Sequence, residues 1–194
     1  MITTRSYYKS IINIPNAENI HPESELSGTT SELELLISEY ERDVLIKRLG
    51  YHLYATFKAE LETKQGANNE TVKSASDQKW KDLMTGKDYE IDGIKKRWPG
   101  LVFKEGVLDR SLIAYYVFCY FLKIRNAVLT ETGVKVINGK GTRIASDGAS
   151  AMYVMAWNKY HDLAYRGING LVSLDTFIND MNDLSEGTYP EYNP

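Results

Sequence analysis

A mainly α-helical fold is what the chain predicts: a helical bundle of about five to six helices with a small β-hairpin or extended loops. Three patterns carry that expectation. Leu33, Leu36, Ile37, Tyr40, Val44 and Leu45 recur near helical spacing and make one apolar stripe. Leu112, Ile113, Tyr116, Val117, Phe118, Tyr120, Phe121 and Ile124 make a helix that is apolar almost all round. Such a helix belongs at the centre of a core or between partners. Ser173 stands where a helix cap belongs, ahead of Leu174, Phe177, Ile178, Met181 and Leu184.

Taken in order, residues 1–29 hold two prolines and no periodicity, so they read as an arm that packs on something or stays loose. Thr30 or Ser31 can cap the first helix, with Glu32, Glu34, Glu39 and Glu41 toward its positive end. Lys47 and Arg48 suit its last turn and Gly50 its end. Residues 51–61 continue as a second helical piece with Leu53, Tyr54, Phe57 and Leu61 on one side, and residues 62–74 read as a loop. Ser76 or Asp77 starts a short helix bearing Trp80, Leu83 and Met84, stopped by Gly86. Turn signals between residues 89 and 103 flank short apolar runs, which fits a hairpin or an Ω-loop.

The apolar helix then starts at Asp109 or Ser111 and runs to about residue 129. Residues 132–146 are glycine-rich and read as extended, with a hairpin around Asn138-Gly139. Helix resumes over 147–165 with Met152, Met155, Ala156 and Leu163 inward, ending at Arg166-Gly167. The chain therefore divides into an N-terminal arm (1–29), a helical body (30–186) and a C-terminal tail (187–194), with no internal repeat.

Composition excludes little. At 194 residues, 43% hydrophobic and 25% charged, the chain can bury a core without staples. A net charge of −3 argues against a generic duplex-binding surface, which is usually basic. Fourteen tyrosines suit interfaces and cores alike. The N-terminus has no apolar h-region, and residues 112–122 are about half a bilayer span, so no membrane association is expected. Cys119, the one cysteine, sits in the apolar run 115–121 and reads as a small buried hydrophobe.

No constellation of catalytic type survives inspection, so neither an enzyme nor a cofactor is expected. The stretch from Gly133 to Thr142 departs from a phosphate loop: five residues separate its glycines and Gly141 takes the hydroxyl position. His21, His52 and His161 lack a second ligand at metal spacing, although His52 can meet Asp162 or Glu60 in space. The segment around Ser150 lacks the second glycine of a nucleophile elbow. Glu39/Asp43 and Asp180/Asp183 read as ordinary solvated helix faces. Two basic sets remain, Lys95-Lys96-Arg97 and Lys135, Lys140 and Arg143, either as solubilising charge or as a grip on phosphates or acidic partners.

Several segments in a fixed order carry a resemblance: Leu49-Gly50-Tyr51-His52-Leu53-Tyr54 with Phe57, then Trp80 to Gly86, then Trp98-Pro99-Gly100-Leu101. The aromatic helix 115–121, the turn Thr132-Gly133-Val134 and Tyr189-Pro190 complete the series. Together the chain resembles head–tail connector (adaptor or neck) proteins of tailed, Bacteroidetes-infecting phages, over most of its length. The resemblance implies a virion structural protein, made in the bacterial host cytoplasm and located in the virion neck. It implies a homo-oligomeric ring bound to the portal protein and to other neck or tail proteins, extending the DNA channel without specific DNA contacts. A mildly acidic chain suits such a conduit. By position, the loop 132–146 with Lys140 and Arg143, the tail with Tyr189 and Tyr192, and the N-terminal arm are the parts expected to reach neighbours. A DNA-binding packaging or regulatory factor, or another tail-completion protein, is the alternative.

Overall fold

The computed structural model describes residues 1–14, 32–64, 69–130, 133–136, 143–168 and 170–181. Helix α1 (Glu32–Ala59) carries the first apolar stripe and is broken at Gly50, whose φ of 74° and ψ of 160° leave the helical region. The two helical pieces expected on either side of that glycine are both present and meet there at a kink. Leu33, Ile37, Val44, Leu45, Leu49, Leu53 and Phe57 are all buried along it.

Strands β1 (Leu61–Thr63) and β2 (Glu70–Val72) then pair antiparallel, where the polar composition reads as loop. Three-residue strands leave too short an alternation to be visible in sequence. Helix α2 (Gln78–Thr85) buries Trp80, Leu83 and Met84, and ends at Gly86. Strands β3 (Lys87–Ile91) and β4 (Ile94–Trp98) form the hairpin that the turn signals allow. Its two turn residues, Asp92 (φ 52°) and Gly93 (φ 77°), both have positive φ, the geometry that matches strand twist.

Strands β5 (Val102–Glu105) and β6 (Leu108–Ser111) make a second hairpin that runs straight into helix α3 (Leu112–Asn126). The Ser111 hydroxyl accepts from Ile113 N at 3.1 Å, satisfying one of the helix's orphan donors. Residues 112–119 of α3 are all at most 3% exposed, and the helix lies between α1 and α4. It ends at Asn126, earlier than its apolar run suggests, because residues 127–130 become β7 (Ala127–Thr130), paired with β8 (Gly133–Val136). The β-branched residues at 128, 130, 134 and 136 favour that pairing. The hairpin turn falls between Thr130 and Gly133; Asn138-Gly139 lies outside the described residues.

Helix α4 (Arg143–His161) continues into a π-helical turn (Asp162–Arg166), and helix α5 (Leu174–Asp180) closes the described chain. Ser173 Oγ accepts from Thr176 N at 3.2 Å, the cap read from sequence. Ala156, Tyr160 and Leu163 define the inward face of α4, which leaves Met155 one residue off it and 41% exposed rather than inward. Leu184 lies outside the described residues.

The fold is mainly α with small two-stranded antiparallel sheets. It is not a clear helical bundle, because the hairpins and the first residues share the core with α1, α3 and α4. Ile2, Tyr8, Ile12 and Ile14 are buried in that core, so the first half of the expected arm is packed. Glu41, 5% exposed, holds it: Ile2 N donates to Oε1 at 2.8 Å, and Thr3 N and Oγ1 donate to Oε2 at 3.0 and 3.1 Å. Among the described residues, no helix is long and apolar enough to cross a membrane.

Candidate interaction surface

The richest cluster of polar and aromatic groups lies where α1, α3 and α4 meet. Helical spacing puts Tyr116, Tyr120 and Lys123 on one side of α3, and Tyr153, Trp157, Tyr160 and His161 on one side of α4. The Tyr116 hydroxyl donates to Asp43 Oδ2 at 2.5 Å, and Lys47 Nζ donates to the same oxygen at 2.8 Å and to the Tyr116 oxygen at 3.0 Å. Burial, then the hydrogen bond to Asp43, drive the Tyr116 hydroxyl far above its usual range. It stays a neutral donor and cannot serve as a base. This knot fastens α1 to α3.

Outward from the knot the rings are only partly buried. Tyr40 stacks on Tyr120 with centroids 4.3 Å apart, and Tyr153 stacks on Trp157 at 6.0 Å. The Lys123 ammonium lies 4.8 Å from the Tyr120 centroid, 5.6 Å from Tyr153 and 5.9 Å from Trp157. All three distances are within cation–π range. No carboxylate is within ion-pairing distance of Lys123 among the described residues. Ile124 (39% exposed) and Val154 (55%) flank these rings by their helical positions. Aromatic side chains are among the groups enriched at protein-binding surfaces.

Further along, the Arg48 guanidinium covers the Tyr165 ring at 4.2 Å and reaches Asp175 at 3.4 Å. His161 stacks on Tyr165 at 5.0 Å and leans on Trp157 at 4.8 Å, and its buried Nε2 has no hydrogen-bond partner among the described residues. Burial first, then Arg166 and Arg48, lower its pKa below the ordinary histidine value.

The other candidates read from sequence fall elsewhere. Lys140, Tyr189 and Tyr192 lie outside the described residues; Arg143 opens α4, and its side chain is also outside them. On β4, Lys96 pairs with Asp180 at 2.8 Å and Arg97 with Asp88 at 3.5 Å, so carboxylates already hold two of the three cations of that set. They line an open cavity of about 430 Å³ with Asp88 and Glu90, which mixes both signs of charge. Cys119 is fully buried, and burial pushes its thiol up to about 12. Asp162 pairs with Arg166 and Glu60 accepts from Ser76, so neither is the partner of His52, which is exposed. Ser150 lies inside α4 and not at a strand-to-helix elbow. Among the described residues, no group of three or more His, Cys, Asp or Glu side chains is placed to hold a metal ion.

The sequence reading missed the Lys123 cluster. The tyrosine count and the 3–4 residue spacings 120/123 and 153/157 were its only signals, and neither tells which helices meet. No family model, curated protein or solved structure matches the chain.

Proposed function

We propose that this chain is a virion structural protein, a head–tail connector or adaptor that forms a homomeric ring at the portal and extends the DNA channel. In this reading α1, α3 and α4 serve as the bundle-like body of each subunit. The observation that carries it is the exposed Lys123 set over the partly buried rings of Tyr120, Tyr153 and Trp157, with the exposed Ile124 and Val154 beside them. Such a surface, on a chain whose sequence order resembles that of phage neck proteins, supports assembly with other protein rather than chemistry. The portal and other neck or tail proteins are its partners, and its place is the virion neck.

Quantitative mass spectrometry of purified virions from the phage that encodes the chain tests this. A portal-bound ring requires a fixed low copy number, about a dozen per particle, set by closed cyclic symmetry. Hundreds of copies indicate capsid or tail-tube decoration instead. Absence from the virion contradicts the proposal and leaves the DNA-binding factor to pursue.

A further inference from the structure

The β5–β6 hairpin ends in the turn Gly106-Val107, and Val107 is 95% exposed, the most exposed large hydrophobic side chain among the described residues. Beside it Glu105 is 66% exposed, and Arg110 Nε donates to its Oε2 at 3.2 Å. The core holds that arginine, 3% exposed, and its second contact is to the Lys9 carbonyl at 3.2 Å. The tip is therefore a braced projection bearing one apolar side chain and one carboxylate. Among the described residues nothing covers it.

The surface around Lys123 has the opposite character. It offers aromatic and aliphatic area to an apolar side chain, and to an anion a cation with no carboxylate partner among the described residues. The tip and this surface are complementary in both respects. One chain does not satisfy both itself, since Val107 stands in solvent. β6 also joins α3 at its first residue, whereas Lys123 lies about 16 Å further along the helix axis at 1.5 Å per residue.

We infer that the Glu105–Val107 tip of one copy seats on the Tyr120–Lys123–Trp157 surface of the next, with Val107 against the rings and Glu105 facing Lys123. Because the two surfaces differ, the contact is head-to-tail and propagates until the rotation closes a ring. The inference rests on the reading that copies of this chain associate, and names the surfaces through which they do so.

Photo-crosslinking tests it directly. With Val107 replaced by p-benzoyl-phenylalanine in the full chain, illumination should join copies, and peptide mapping should find the bond at residues 120–124 or 153–157. In parallel, sedimentation of Lys123→Glu should show association weakened by at least about tenfold, while Lys123→Arg stays within about threefold of the parent. Association that persists with crosslinks elsewhere or nowhere, or with Lys123→Glu unchanged, overturns this contact and leaves the assembly reading standing. A parent chain that sediments only as a monomer overturns both.

Discussion

At the scale of single residues, buried charge decides where the chain's first segment goes. Glu41 is read from sequence as one of four glutamates toward the positive end of α1, and in the structure its carboxylate receives three hydrogen bonds from Ile2 and Thr3. Each such bond to a charged group is worth about 1.5–3 kcal/mol in favourable cases. Replacing Glu41 by alanine leaves two buried backbone donors unpaired, so urea unfolding should show a loss of about 3 kcal/mol. His161 supplies a second residue-scale prediction. Its folded pKa is depressed, by burial first and then by Arg166 and Arg48, so the unfolded chain binds the proton more readily. Stability contributed this way is present above the unfolded value of about 6.5 and declines as pH falls below it. His161→Phe keeps the stacking on Tyr165 and Trp157 and removes the titration, so it should flatten the stability slope just below about pH 6.5.

Elements interlock through backbone contacts that only small residues permit. The end of α2 meets the end of β4 and the connection to β5 so closely that a Cβ on Gly86 would stand 2.5 Å from Trp98 O, and one on Gly100 2.6 Å from the Thr85 carbonyl carbon. Both glycines also have positive φ, 94° and 103°. At that junction Leu83 O accepts from Leu101 N and from Trp98 Nε1, each at 3.1 Å. Gly100→Ala should therefore cost at least about 2 kcal/mol, since strain and a backbone clash act together; thermal unfolding followed by tryptophan fluorescence reads it. A third tie joins α5 to the β3–β4 hairpin, where Phe177 stacks on Trp98 at 5.5 Å and Asp180 accepts from Tyr89 and Lys96 at 2.7 and 2.8 Å. Burial raises the Asp180 pKa, but those two hydrogen bonds outweigh it and hold the group below the ordinary value. Its contribution is present above the unfolded value of about 3.9 and is lost as pH falls through the depressed folded one. Asp180→Asn should accordingly remove part of the acid-side loss of stability in a pH series of urea unfolding curves.

These elements differ in how far the sequence revealed them. Ser173, Gly50, Gly86 and Arg166-Gly167 mark element ends by local chemistry, so α1, α2, α5 and the end of the α4 run are legible from a few residues each. The apolar run 112–119 announces its own burial. The hairpins β1–β2 and β7–β8 were not legible, because strands of three or four residues gain their stability from tertiary packing rather than from pattern. Position along the chain is likewise silent on assembly. The Lys123 surface takes residues from α1, α3 and α4, and only the packing of those helices brings Tyr40, Tyr120 and Trp157 together.

For the molecule as a whole, the helices and hairpins divide the labour. α3 is enclosed by α1 and α4 and fixes the body, while among the described residues nothing covers Val107 at the β5–β6 tip, and Lys123 is exposed over its rings. A rigid body with two unlike, complementary surfaces is what a repeating head-to-tail assembly needs. Sedimentation velocity of the purified full chain over a wide concentration range tests that claim most directly. The chain should sediment as a discrete closed oligomer whose mass is a whole multiple of 22.1 kDa, weakened by Lys123→Glu. A single 22.1-kDa species at every concentration would contradict it.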